Sequence, residues 1–220
     1  MQTVQIYLVR HGETIFNAKG VVQGQSDSPL TKAGWQGAIE LGQKLRTLPI
    51  DQAYVSDLRR AQETLQLMLA EHQTPAPVQV KQAFREYNFG LYEGDQNAHF
   101  WDRMSQLHQT DVLANAQTDF LARYGYVYHE RHNPMAEKLT SFKQRLETGL
   151  LEVANEALEK QQEHLLIVSH GIVVQGLLQL FIPNYQPTTI FPNTSVTKFA
   201  YDGQNFQLDY VGKTAQELPF

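Results

Sequence analysis

Short runs of apolar and β-branched residues alternate along the chain with longer segments in which apolar residues recur at helical spacing. Short runs bounded by glycine, proline or polar residues are typical of buried strands. The pattern predicts strands at 3–9, 52–56, 78–80, 165–168, 195–201 and 206–211. Because helical segments separate most of these runs, we predict an α/β fold in which helices cover both faces of a mixed, mostly parallel sheet.

Helix signals lie between the predicted strands. Thr31 is placed to cap the first long helix. The apolar face of that helix is predicted to consist of Trp35, Ala38, Leu41 and Leu45. Further amphipathic helices are predicted at 58–72 and 134–162. The apolar run at 171–182 contains two glutamines and is too short to cross a bilayer, so we predict that it follows a strand as a helix of the fold.

The segment at 95–133 differs in character from the rest of the chain. Its aromatic residues are set among polar ones, and it contains four of the eight histidines. We predict a helical insertion that forms a lid over the active site. His129 and His132, with His99 or His108, have a spacing that could bind zinc. Scattered surface histidines are the more common reading of this pattern, and we expect no metal site.

Composition narrows the classes of function. A chain of 220 residues, 42% of them hydrophobic, can bury a core as one domain, 1–220, without disulfide or metal staples. It contains no cysteine, which excludes a thiolate nucleophile and cysteine-ligated metal centres. The net charge of −5 argues against non-specific binding of nucleic acid. With no signal-peptide pattern or membrane span visible, we expect a cytoplasmic protein with no nucleic-acid or membrane partner.

Two predicted strands end in a His-Gly step. Arg10-His11-Gly12 follows the first strand, and Ser169-His170-Gly171 follows the strand at 165–168. Ligands of open α/β sheets bind at the carboxyl ends of the strands, so we expect both histidines at one functional edge. A second arginine pair, Arg59-Arg60, follows the strand at 52–56. Guanidinium groups match phosphate oxygens and a neutral imidazole can attack phosphorus, so this set predicts a site for a phosphoryl group.

These steps belong to a series of motifs that runs in order along most of the chain. The motifs are Arg10-His11-Gly12-Glu13-Thr14 with Asn17, Gln23-Gly24, Asp27-Ser28-Pro29-Leu30-Thr31 with Gly34, Ser56-Asp57-Leu58-Arg59-Arg60-Ala61 with Thr64, Arg85-Glu86 with Gly90, Glu93-Gly94, Ser169-His170-Gly171, and Asn193-Thr194-Ser195-Val196-Thr197. As a set, they resemble the signature of the histidine phosphatase superfamily, the phosphoglycerate mutase-like proteins.

The resemblance implies catalysis through a phosphohistidine. His11 would be the nucleophile, and Arg10 and Arg60 would disfavour its protonated form. Arg10, Arg60 and His170 would hold the phosphoryl oxygens as negative charge builds up on them. The mechanism requires no metal or cofactor, and the expected partner is a small-molecule phosphate ester. Further contacts to the phosphate or substrate are expected from Asn17, Gln23, Gly24 and Gly171.

Glu86 matches the acid position of the family. It would protonate the departing alkoxide and then deprotonate the water that cleaves the phosphoenzyme. The alternative for Glu86 is an ion pair with Arg85 or a role as a loop anchor. Arg59 is expected to face solvent. Glu137 is excluded from the site, because the glycine and serine that flank the corresponding glutamate of the family are missing here.

The superfamily contains both phosphatases and mutases. Mutases usually carry an adjacent arginine pair in the insertion that binds the carboxylate of phosphoglycerate, whereas 95–133 has only the isolated Arg103, Arg123 and Arg131. Gln23 also resembles the phosphatase branch. We therefore predict a phosphomonoesterase, with a cofactor-dependent phosphoglycerate mutase as the second candidate. A non-catalytic phosphate-sensing or phosphate-binding module is the third, although every expected catalytic residue type is present.

Overall fold

A computed structural model describes residues 2–74, 76–115, 119–185 and 191–219. Its single sheet contains strands β1 (Val4–Arg10), β2 (Gln52–Val55), β3 (Val78–Val80), β4 (His164–Ser169), β5 (Val196–Tyr201) and β6 (Phe206–Lys213). The order across the sheet is β3-β2-β4-β1-β5-β6. The first four strands are mutually parallel, whereas β5 pairs antiparallel with β1 and with β6. The predicted mixed, mostly parallel sheet is confirmed.

Helices lie between successive strands except between β5 and β6, which a short turn at 202–205 joins. The α-helices are α1 (Ile15–Ala18), α2 (Lys32–Leu45), α3 (Arg59–Ala70), α4 (Asn97–His108), α5 (Val112–Asn115), α6 (Leu139–Glu159) and α7 (Gly171–Phe181). Short 3-10 helices lie at Gln82–Phe84, Gly90–Tyr92 and Phe120–Tyr126. None of the described helices combines the length and the apolar character that a membrane span requires.

Strand β1 shows how the sheet comes to be covered on both faces. Successive side chains of a strand point to opposite faces. Ile6 and Leu8 belong to one buried cluster, which also contains residues of α6 and α7. Tyr7 and Val9 belong to a second cluster, formed with residues of α2 and α3. The almost continuously apolar β1 therefore buries its side chains against helices on both faces of the sheet, as predicted.

The prediction was wrong about Trp35, whose side chain is 50% exposed. The buried stripe of α2 begins instead with Gly34 and continues through Ala38 and Leu41. Gly34 packs so closely that an added Cβ would lie 2.1 Å from the carbonyl oxygen of Glu13. Since this glycine takes the core-facing place in the first turn, Trp35 is rotated away from the centre of the stripe and towards solvent.

The predicted helix at 134–162 is shorter than expected, because α6 begins only at Leu139. The preceding residues are held in a loop. Asn133 donates its side-chain amide to the carbonyl of Phe89 and accepts from the amide of Leu91. The amide of Glu137 bonds to the carbonyl of Asn88. These contacts with the segment at 88–91 compete with helical hydrogen bonds, and sequence periodicity does not report them.

The segment predicted as an insertion contains α4, α5 and the 3-10 helix Phe120–Tyr126, while its residues 116–118 lie outside the described residues. Phe100, Phe120 and Tyr124 are buried in the same cluster as residues of α6 and α7. The segment therefore packs directly on the main core. Its role as a lid remains a prediction.

Candidate active site

The pairing of β1 with β4 places the two motif histidines side by side. Arg10 lies opposite Ser169 in the parallel register, so His11 and His170 are the next residues at the same edge. Their ring centroids are 5.1 Å apart, and both side chains are buried. Two motifs separated by about 160 positions in the sequence thus meet at the carboxyl ends of adjacent strands.

The hydrogen bonds of His11 define its tautomer. Its Nδ1 lies 2.7 Å from the carbonyl oxygen of Gly12, to which it must donate a proton. Its Nε2 lies 3.2 Å from Nε of Arg60 and accepts that N–H. Burial lowers the pKa of His11 well below its ordinary value, and the charges of Arg60 and Arg10 lower it further. The imidazole is therefore neutral, with its lone pair on Nε2.

Arg60 is buried directly beside His11, at 1% exposure. Its guanidinium donates to the carbonyls of Ser26 and Gly24 and forms a 2.8 Å ion pair with Asp27. Burial lowers the pKa of Arg60, and the carboxylate of Asp27 opposes that shift. These acceptors fix the orientation of the fork, so Arg60 presents its Nε–H to His11. Arg59, by contrast, is exposed as expected.

Two buried nitrogen atoms next to His11 have no hydrogen-bond partner among the described residues: Nε of Arg10 and Nδ1 of His170. The other side of each group is occupied. Arg10 donates through Nη1 to the carbonyl of Phe191, and Nε2 of His170 lies 2.7 Å from Oγ of Ser56. Burial, followed by the charge of Arg60, lowers the pKa of His170 well below its ordinary value. When Ser56 donates to Nε2, the neutral ring carries its proton on Nδ1, ready for an acceptor.

Glu86 is buried at the same edge, with 4% exposure. Its carboxylate accepts from the backbone amides of Tyr87 at 3.0 Å and Ile172 at 3.1 Å. Burial raises the pKa of Glu86, and these two amides partly oppose the shift. Arg85 forms its ion pair with Asp57 and not with Glu86. The ion-pair alternative for Glu86 is therefore wrong, and the carboxyl is a buried group of raised pKa.

A cavity of about 420 Å³ opens at this edge of the sheet. The predicted site residues that line it are Arg10, His11, Asn17, Gln23, Glu86 and Gly171. Gly24, Arg60 and His170 are not among the residues that line it. Gly24 is engaged through its backbone, since its carbonyl accepts from Arg60 and its amide donates to Glu93. An added Cβ there would lie 2.1 Å from the carbonyl oxygen of Tyr87, so only glycine fits.

Glu93 connects two loops of the site. Its carboxylate accepts the backbone amides of Gly24, Gln25 and Ser26, at 2.9–3.2 Å, and the amide of Phe89 at 3.0 Å. The first three amides belong to the loop whose carbonyls hold Arg60. The fourth belongs to the segment that follows Glu86. One carboxylate therefore fixes the spacing between the arginine side and the acid side of the site.

Arg145 of α6 supports the loop that carries Glu86. Its guanidinium donates to the backbone carbonyls of Ala83, Arg85 and Glu86 at 2.7–3.0 Å. It also pairs with both carboxylate oxygens of Glu137 at 2.7 and 2.9 Å. Glu137 therefore anchors Arg145.

We expect Arg145→Met to lower the free energy of unfolding by about 2–3 kcal/mol, because it leaves three carbonyls and the Glu137 carboxylate without their charged donor. Chemical denaturation monitored by circular dichroism measures the change. Arg103→Met is the matched control, since the ion pair of Arg103 with Asp95 is exposed and should contribute under about 1 kcal/mol. Equal, small losses in both variants would contradict the role assigned to Arg145.

The histidines of the insertion do not assemble a metal site. His129 uses Nδ1 to accept the backbone amides of Arg131 and His132. His108 bonds through Nε2 to the carbonyl of Tyr126. Among the described residues, no group of three or more histidine, aspartate or glutamate side chains is placed to hold a metal ion.

Comparison with known proteins decides the family. A family model described as "Histidine phosphatase superfamily (branch 1)" matches residues 6–214. The chain belongs to the histidine phosphatase superfamily. The resemblance inferred from the motif series is thereby confirmed.

Relatives in the superfamily carry two kinds of name. The chain is 29% identical over 218 residues to "Broad-specificity phosphatase YOR283W" of Saccharomyces cerevisiae, covering 96% of this chain and 86% of that protein. It is 42% identical over 90 residues to "Probable phosphoglycerate mutase GpmB" of Erwinia tasmaniensis, a match that spans only 41% of each chain. A solved phosphoglycerate mutase from Bacillus anthracis aligns with a TM-score of 0.88 at 28% identity, covering 96% of this chain and 94% of that one. The relatives thus support an enzyme without deciding between phosphatase and mutase.

Sequence reasoning missed the residues that position the site. Glu93 and Asp27 stood in the quoted motifs without a role, and Arg145 stood in none. A lone arginine on an amphipathic helix normally faces solvent, so no pattern distinguishes one that points inward to loop carbonyls. One signal was available: buried backbone carbonyls in a loop at 83–86 would each need a hydrogen-bond donor, which a nearby arginine could supply.

Proposed function

We propose that this chain is a metal-independent phosphomonoesterase that hydrolyses small phosphate esters through a phosphohistidine at His11. The observation that carries the proposal is the state of His11, a buried neutral imidazole that turns Nε2 towards Arg60 within a cavity that also exposes Glu86. A base-form imidazole next to two guanidinium groups has little use as a structural residue. It suits nucleophilic attack on a dianionic group.

The first half-reaction transfers the phosphoryl group to the enzyme. Nε2 of His11 attacks phosphorus, the P–N bond forms and the ester P–O bond breaks. The Nε–H of Arg60, which bonds to Nε2 in the free site, becomes available to a phosphoryl oxygen. The unpartnered Nε of Arg10 and Nδ1 of His170 supply further donors where charge accumulates. The departing alkoxide takes the proton of Glu86, whose raised pKa favours the protonated form of the carboxyl.

The second half-reaction returns the enzyme to its starting state. The Glu86 carboxylate, now ionised, removes a proton from water as the water oxygen attacks phosphorus. The P–N bond breaks, inorganic phosphate leaves, and His11 is again neutral with its proton on Nδ1. Asn17 and Gln23 line the cavity and serve to hold the phosphate or substrate. Gly24 acts through Arg60.

The insertion favours hydrolysis over mutase chemistry. Of its three arginines, only Arg123 lines the cavity, so the site lacks the adjacent pair expected to bind phosphoglycerate. Of the six other insertion residues that line the cavity, four are aromatic. A small, strongly anionic acid such as phosphoglycerate has little apolar surface to bury against them.

Incubation with 3-phosphoglycerate and a trace of 2,3-bisphosphoglycerate separates the two activities. We expect slow release of inorganic phosphate and no rapid formation of 2-phosphoglycerate. Phosphorus NMR monitors both products over time. A parallel assay with p-nitrophenyl phosphate should show hydrolysis without added metal and in the presence of a chelator. Rapid interconversion of the phosphoglycerates would establish the mutase, and phosphate binding without turnover of any ester would establish a binding module.

A further inference from the structure

The cavity has two chemically different sides. One side carries Arg10 and His11 at the end of β1 and Glu86 from the loop after the 3-10 helix Gln82–Phe84. The other side is aromatic. It consists of four rings from the insertion and two from elsewhere in the chain: Phe100, Trp101, Phe120 and Tyr124, with Phe89 and Phe191. Four of the rings, those of Phe89, Phe100, Trp101 and Tyr124, pack edge-to-face on one another, with Phe100 4.8 Å from Trp101 and Trp101 5.6 Å from Tyr124. Such mutual packing holds the rings as a fixed apolar surface.

Arg123 is the cation that the insertion adds to the cavity lining. Its guanidinium lies 4.2 Å from the centroid of the Phe120 ring and 5.7 Å from that of Trp101. Its Nε donates to the carbonyl of Phe120, which fixes the plane of the group. Within the described ranges, no carboxylate lies within ion-pair distance of Arg123. The phosphate site itself uses other arginines, so this charge is left for a different part of a ligand.

We propose that the physiological leaving group is an alcohol with a flat, apolar body and an anionic group, the body packing on the aromatic side of the cavity and the anion pairing with Arg123. The inference rests on the proposed phosphatase function and adds the substrate class to it. Arg123 and Trp101 are then specificity-determining residues. A cavity of about 420 Å³ is within the range of small-molecule sites, so it fits such an ester as a whole.

Three esters of primary alcohols test the proposal, because their leaving groups are all alkoxides and differ mainly in what the cavity contacts. They are glycerol 3-phosphate, 2-phenylethyl phosphate and 2-(4-carboxyphenyl)ethyl phosphate. We expect kcat/KM to rise at least about tenfold from the first to the second through burial of the ring. A further gain of about tenfold is expected from the second to the third through the charged hydrogen bonds of Arg123.

Two variants assign these gains to residues. Arg123→Gln should remove the gain due to the carboxylate and lower kcat/KM for 2-phenylethyl phosphate far less than for the carboxylated ester. Trp101→Leu should reduce the preference for 2-phenylethyl over glycerol phosphate. Arg103→Gln is the control, since Arg103 lies in the same insertion, pairs with Asp95 and does not line the cavity. Loss of activity on all three esters in equal proportion in Arg123→Gln would overturn the assignment to Arg123.

Binding of the non-hydrolysable phosphonate analogues of the three esters, measured by calorimetry, separates this inference from the proposed function. Affinities that rise in the expected order without turnover of any ester would refute the phosphatase and support the ligand class. Hydrolysis of all three esters at equal kcat/KM, with equal phosphonate affinities, would refute the ligand class and leave the phosphatase standing.

Discussion

Replacement of His11 by alanine is expected to abolish phosphate-ester hydrolysis, with kcat at least about 10⁴-fold lower. The substitution removes the atom on which the phosphohistidine would form, while Arg10 and His170 remain. His11 is the one histidine among the residues that line the described cavity, so no other imidazole of that lining replaces it. Release of phosphate from p-nitrophenyl phosphate, followed over hours, measures the loss.

Two further variants make the result specific. His11→Gln keeps a polar side chain beside Arg60 and should be as inactive as the alanine variant, which excludes a simple packing defect. His99→Ala alters an exposed histidine of the insertion and should retain full activity. Hydrolysis at the wild-type rate by His11→Ala would rule out nucleophilic catalysis by this residue.

Glu86→Gln is expected to slow esters with poor leaving groups by about 10²–10⁴-fold and to affect p-nitrophenyl phosphate much less. A poor alkoxide needs a proton as the P–O bond breaks, whereas a nitrophenolate leaves without one. The rate constant for release of the alcohol or phenol, measured on a matched alkyl and aryl ester with enzyme in excess, isolates the first half-reaction. Glu130→Gln, an exposed glutamate of the insertion, is the control. The same loss on both esters would remove the proton-donor role.

The pH profile provides a second readout of the same two groups. The pKa of His11 lies well below 6.5, so its imidazole stays neutral in mildly acidic solution and the acid limb of kcat/KM falls below pH 6.5. The pKa of Glu86 is raised above 4.5, so its proton is retained to higher pH than that of an ordinary glutamate. Activity on alkyl esters should decline as pH rises through that raised pKa. Glu86→Gln should lose this alkaline limb, since its amide does not ionise.

The candidate active-site edge was predictable because it is built from strand ends. The histidines at 11 and 170 follow apolar runs directly, and a parallel register brings such ends together whatever the intervening sequence is. The positions of Arg145, Trp35 and the start of α6 were not predictable in the same way. Each depends on contacts between segments far apart in the sequence, such as those of Arg145 with the loop carbonyls at 83–86. Such contacts do not show in the spacing of apolar residues along the chain.

The hydrogen bonds that Glu93 accepts from two loops determine which substitutions in those loops leave the geometry of the site unchanged. At Gln25 and Phe89 the donor to Glu93 is the backbone N–H, not the side chain. Substitutions at these two positions that preserve the backbone conformation therefore keep both hydrogen bonds. Proline is the exception, because it has no amide hydrogen to give. The solvent-facing side chains of these loops can therefore change while the distance between the Arg60 guanidinium and the Glu86 carboxyl stays the same.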